Sequence, residues 1–263
     1  GVAMSTTAAN GPGSLEAFLI ADGRDKNVIS TVKTPHVPPG SPSFQPRLFT
    51  MRHYVGGPAT LEDSVTMYRR LLSQATGKVD IISIGFMNNL GELLSSPADD
   101  ISPLTGAQLV AQKVNILYAM AGQWPTGTEY NINRTAQTIA AAVKVTTEWP
   151  TEIVFSGYEV GYTIFSGGGL KTATPTDHLT LAMDDHGDFP ASGTQGRPSW
   201  DPLKILLGGV GTTDQTKIDL TASGYNVVRG TAVVDPANGA NTFIESSTGK
   251  HYYTIKALTD SEF

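Results

Sequence analysis

The sequence predicts an α/β protein built on a mostly parallel, doubly wound sheet, with a small β-rich appendage at its C-terminus. Three observations carry that reading. Val79-Asp80-Ile81-Ile82-Ser83-Ile84-Gly85, Val114–Met120 and Glu152–Gly157 are short and largely apolar, the pattern of strands covered on both faces. Segments with helical spacing of apolar residues separate them, and strand–helix alternation sets consecutive strands parallel. Over residues 223–257 the pattern turns to β-type, with Tyr225–Val234 and His251–Lys256 rich in Val, Tyr and Thr.

Taken in order, Gly1–Ser5 reads as the tail of a buried strand. Ser14 is a candidate cap for a helix through Leu15, Phe18 and Leu19 to Gly23. Asn27–Ser30 is a short strand. The Pro-rich stretch from Pro35 to Gly57 is long for a compact domain, and such loops often carry function. Leu61, Val65, Tyr68, Leu71 and Leu72 share a helical face. After the strand at Val79, a helix is expected around Leu90–Leu94. Thr135–Glu148 is an Ala-rich helix between the next two strands, and Trp200–Leu207 is a further one. Asp235-Pro236 and Asn238-Gly239 mark turns in the tail, which is expected to pack on the main sheet. The whole of 1–263 reads as one domain.

Composition narrows the partners. Hydrophobic residues make up 40% of the chain and charged residues 16%, a folded rather than a disordered composition. A net charge of −6 without a Lys/Arg run gives no attraction to nucleic acid or to a membrane surface. The absence of cysteine removes disulfides, thiolate metal sites and cysteine nucleophiles, and fits either a secreted or a cytoplasmic location. A homo-oligomer is the assembly expected on symmetry grounds.

Ligands of open parallel sheets sit beyond the carboxyl ends of the strands. Those ends carry Thr6 to Asn10, Gly85 to Asn89, Ala121-Gly122-Gln123 with Glu129-Tyr130-Asn131, and Ser156 to Glu159. They are amides, hydroxyls and a few carboxylates, without Lys or Arg. Such a lining suits the hydroxyls of a neutral ligand such as a sugar rather than phosphate. Gly167–Thr172 lacks the spacing of a phosphate loop. Asp99-Asp100 reads as a surface turn, and Asp184-Asp185-His186-Gly187-Asp188 as a solvated loop.

Five segments, in order, resemble the inosine-uridine-preferring nucleoside hydrolase family, in its bacterial or fungal branch. They are Asp80–Leu90, Glu129-Tyr130-Asn131-Ile132, Glu148-Trp149-Pro150 with Ile153–Glu159, Arg197–Pro202, and Gly239–Phe243 with Gly249–Tyr253. The resemblance implies hydrolysis of the N-glycosidic bond of ribonucleosides through an oxocarbenium-like sugar. It implies Ca²⁺ as cofactor, bound by the Asp201 carboxylate and the Ile84 backbone carbonyl. Asn10, Gln123, Glu129 and Asn131 would hold ribose hydroxyls, and Trp200 would stack on the base.

Two departures stand against full catalysis. The family opens on a strand ending in an Asp cluster that supplies most metal carboxylates and the base. Nothing in this sequence matches that strand, so the chain reads as N-terminally truncated and no catalytic base is assigned. Trp200 stands where many members have a His, and indole cannot protonate a leaving base. Two rivals therefore stay open: an inactive nucleoside- or sugar-binding protein of the same fold, and a surface-associated interaction module. Asp201 has a plainer role too, as an acid at a helix N-terminus.

Overall fold

The computed structural model describes residues 1–24, 28–32, 42–51, 61–189, 195–210 and 218–263. In chain order they form β1 (Val2–Met4), α1 (Gly11–Ala21), β2 (Ile29–Thr31), α2 (Gln45–Thr50), β3 (Glu62–Asp63), α3 (Ser64–Gln74), β4 (Val79–Ser83), α4 (Asn88–Ser95), α5 (Gly106–Lys113), β5 (Val114–Met120), β6 (Thr126–Gly127) and α6 (Tyr130–Asn133). There follow α7 (Ala136–Glu148), β7 (Glu152–Ser156), α8 (Tyr158–Gly161), β8 (Phe165–Ser166), α9 (Leu170–Ala173), α10 (His178–His186), β9 (Arg197–Pro198), α11 (Trp200–Val210), β10 (Tyr225–Val234), β11 (Asn241–Glu245) and β12 (His251–Lys256).

These residues fall into two compact units, Gly1–Tyr68 with Phe165–Pro198, and Arg69–Ile164 with Ser199–Phe263. The first unit holds the parallel sheet β1-β2-β3, the antiparallel pair β8-β9, and a core of Ala17, Leu48 and Ala182 flanked by Phe18, Phe44 and Met51. Asn10, not Ser14, precedes α1. Pro12 presets the first turn, and the Ser14 hydroxyl bonds back to the Asn10 carbonyl at 2.8 Å and to Gln45 O at 3.0 Å. Much of the Pro-rich stretch lies outside the described residues; its described part contains α2.

The second unit is a mixed sheet in the order β4-β5-β7-β12-β10-β11-β6. Strands β4, β5, β7 and β12 run parallel, and β10, β11 and β6 alternate direction beyond them. The apolar runs of β5 and β7 are nearly continuous because helices cover both faces, and Leu117, Tyr118, Val154 and Phe155 are fully buried. Thr135 starts α7 with a reciprocal cap through Thr138, and Pro150 follows its end. The C-terminal strands are antiparallel to one another, as expected. They extend the main sheet in its own plane rather than lying on its face, because β7 offers β12 a parallel edge.

Two features of this unit were not legible in the sequence. Arg69 on α3 is buried and forks onto both carboxylate oxygens of Asp99, at 2.7 and 2.8 Å, while also donating to Ser102 O and Leu104 O. The Asp99 turn is thus an anchor as well as a surface turn. Lys204 on α11 is fully buried, donates to Val154 O at 2.7 Å, and has its ammonium pushed well below the usual range by burial.

Candidate functional site

The parallel strands of the second unit end side by side, with Met120 of β5 opposite Ser156 of β7. The chain beyond β5 folds back as the loop Gly122–Gly127 and then enters α6 at Glu129. Glu129 is buried, and its Oε1 accepts from the Asn131 amide at 2.9 Å while Oε2 accepts from the Gly122 amide at 3.1 Å. Burial pushes its pKa up to about 7. The Asn131 and Gly122 amides pull the other way, and the negative charge of Asp201 adds to the rise. Asp201, in the first turn of α11, is thus among the charges that act on Glu129 at the end of β5.

Glu159, in the first turn of α8 beyond β7, lines up with the same loop. Its Oε2 accepts from the Trp124 amide at 3.2 Å, and its Oε1 is buried without a partner. Burial raises its pKa too. A Cβ on Gly157 would lie 2.4 Å from both Glu159 oxygens, so a larger residue there would displace the Glu159 carboxyl. Gly161 serves a second close approach, since its Cβ would meet Trp200 Cα at 2.5 Å. That contact seats the start of α11 over the end of β7. Trp200 then stacks on Tyr158 at 5.4 Å between centroids, and Tyr158 on Tyr162 at 4.9 Å, all within 28° of parallel. The Trp200 indole N–H donates to Tyr158 O at 2.9 Å.

The remaining predicted residues are placed as follows. Asn131 donates its side-chain amide to Met120 O at 3.0 Å, tying α6 to the end of β5. Gln123 lies in the Gly122–Gly127 loop with its side chain folded against Gly127. Ile84 stands just past β4 and is 39% exposed. Asn10 belongs to the first unit, where its carbonyl accepts from Ser14. The solvated run Asp184–Asp188 is in part helix: α10 continues to His186, with Asp184 paired to Lys171 and Asp185 to Arg47.

Calcium prefers six to eight oxygen ligands. The Asp201 carboxylate and the Ile84 carbonyl supply about three at most. Among the described residues, no group of three His, Cys, Asp or Glu gathers that could hold a metal. These residues therefore do not complete a calcium site.

No family model and no curated protein matches the sequence. Solved structures do match the fold. The inosine-uridine preferring nucleoside hydrolase from Bacillus anthracis superposes with a TM-score of 0.64 over 97% of this chain and 84% of its own, at 13% identity. The chain has the nucleoside hydrolase fold. The type III effector XopQ, solved with adenosine diphosphate ribose, matches at a TM-score of 0.61 and 13% identity, over 99% of this chain and 79% of its own. The effector XOO4466 matches at 0.60 and 12%, over 99% and 80%. At such identities the likeness is one of fold alone. So the nucleoside hydrolase fold is common here to a hydrolase and to effectors, and the residues at the strand ends must carry the functional argument.

Sequence reasoning placed Tyr158 and Glu159 in the strand-end lining without giving either a role, and passed over Tyr162 and Asn241. The available signal was their position, since Tyr158 and Glu159 directly follow a buried strand. Asn241 gave less, because its role depends on a strand pairing made across the whole sheet.

Proposed function

We propose that this chain binds the ribosyl group of nucleosides at the ends of β5 and β7 and acts as an N-ribosyl hydrolase, releasing ribose and a free base. The observation that carries this is the placement of Glu129, buried at the end of β5 and held by two backbone amides, beside Glu159 held by the same loop. Each Glu129 oxygen uses one lone pair on an amide and keeps another for a ribose hydroxyl. With its proton affinity near neutrality, the group both accepts and donates hydrogen bonds at physiological pH. Cleavage of the N-glycosidic bond leaves positive charge on the sugar ring, and Glu129 and Asp201 present negative charge to it.

The leaving base has a different environment. The Trp200 N–H is committed to Tyr158 O, and an indole N–H is no acid, so the Trp200–Tyr158–Tyr162 stack offers an aromatic face and no proton. Asp201 and Ile84 are the residues of this chain proposed to face Ca²⁺, and by themselves they do not complete its coordination. Gln123 and Asn131 are proposed as further sugar contacts.

The sparse metal ligands favour a second reading, a binding protein for nucleosides or ADP-ribose without hydrolysis. XopQ, with adenosine diphosphate ribose bound, supports it as a neighbour in fold. One experiment separates the two. The chain is incubated with inosine or uridine and Ca²⁺, free base is followed by chromatography, and binding of inosine and ADP-ribose is measured by calorimetry. Base release that is lost in Asp201→Ala supports hydrolysis. Binding without release supports the second reading, and neither binding nor release sinks both.

A further inference from the structure

The Gly122–Gly127 loop gives one amide to each of the two strand-end carboxyls, so whatever fixes this loop helps to fix them. Asn241 does so from β11. It is fully buried, its Oδ1 accepts from the Gln123 N–H at 3.1 Å, and its Nδ2 donates to Gln123 O at 2.6 Å. One side chain thus pairs both polar groups of one backbone residue, as a neighbouring strand would. The amides on either side then point elsewhere: Gly122 N–H to Glu129 Oε2 and Trp124 N–H to Glu159 Oε2. The far end of the loop is pinned to the same strand. Phe243 N–H donates to Pro125 O at 2.8 Å, and Asn241 and Thr242 pair with Gly127 and Thr126 of β6.

We propose that Asn241 is a positioning residue for the ribosyl site, clamping Gln123 so that the Gly122 and Trp124 amides hold Glu129 and Glu159 in place. No other side chain can make both bonds without the same reach and the same donor–acceptor pair. Aspartate keeps the acceptor for Gln123 N–H and loses the donor, and alanine loses both. The assignment rests on the reading that Glu129 meets the ligand, but the clamp itself can be tested without a ligand.

The test is amide hydrogen exchange by NMR on the full chain, with Asn241→Ala and Asn241→Asp, followed by calorimetric titration with inosine and ADP-ribose. The clamp predicts exchange at Gly122 and Trp124 faster by about tenfold per lost bond, with the amides between β7 and β12 unchanged. It also predicts weaker binding of whichever probe the wild type binds, with Asn241→Asp intermediate. If Asn241→Ala does not fold, the isosteric Asn241→Asp carries the test. Equal protection loss across the whole sheet, or unaltered exchange at Gly122 and Trp124, would overturn the proposal. Selective loss in a chain whose wild type binds neither probe would keep the clamp and remove the ribosyl reading.

Discussion

The ends of β5 and β7 differ sharply from the end of β4, although all three strands run parallel in one sheet. Beyond β5 and β7 stand two carboxyls, each accepting from the backbone of one loop, with an aromatic stack beside them. Beyond β4 stands Ile84, exposed, preceded by Val79 and Ile82 that are also more than a third exposed. Central strands of the sheet are nearly closed to solvent, whereas β4, an edge among the described residues, is open. The difference teaches that the half proposed to receive a sugar is preorganised by backbone amides. The half proposed to face a metal is sparse.

Truncation should show this contrast most strongly. Phe155, fully buried between Trp124 and His251, is expected to cost about 3–5 kcal/mol on replacement by alanine. Val79→Thr on β4 should cost well under about 1 kcal/mol. Urea midpoints for the two variants check it, and equal costs would erase the distinction between centre and edge.

A smaller effect comes from Glu129 itself. Its folded pKa of about 7 lies above the ordinary 4.5, so between these values the folded chain keeps a proton that the unfolded chain gives up. Stability is therefore lost as pH rises from about 4.5 to about 7, by something on the order of 3 kcal/mol. His251 acts in the opposite sense: burial lowers its pKa from 6.5 to about 4, so stability is lost as pH falls through that window. The two trends offset each other in the wild type. Glu129→Gln removes one of them, and its stability relative to wild type should rise between pH 4 and pH 8. A parallel pH profile for the two proteins would contradict the burial argument.

Calcium affinity sharpens the other side of the comparison. With one carboxylate and one carbonyl, this chain should bind Ca²⁺ no more tightly than about millimolar. Calorimetry that returned submicromolar binding would place the ligands somewhere other than Asp201 and Ile84. The smallest expected effect is on solubility, where Ile82→Thr should reduce self-association in light scattering by making the open edge of β4 less apolar.

Much of the fold was readable because β5, β7, β10 and β12 have the composition of their positions. Val114–Met120, Tyr225–Val234 and His251–Lys256 were bounded as they occur, since an uninterrupted apolar or β-branched run leaves little choice of end. Two-residue strands such as β6 and β8 left no periodic trace, and the start of α1 was misread because Pro12 outweighed Ser14 as a helix starter. Of the proposed site, Glu129 and Asp201 were named through their motifs, and the influence of Asp201 on Glu129 was not. Nor could spacing reveal Asn241, 118 residues from its partner Gln123, because only the sheet brings them together.

The central claim is that the shelf at the ends of β5 and β7 receives a ribosyl group, and its most direct test is calorimetric titration of inosine into the wild-type chain and into Glu129→Ala. The account predicts saturable binding by the wild type and at least a tenfold loss in the variant, since a charge-assisted hydrogen bond is worth about 1.5–3 kcal/mol. Equal affinity in the two, with both folded, would contradict it.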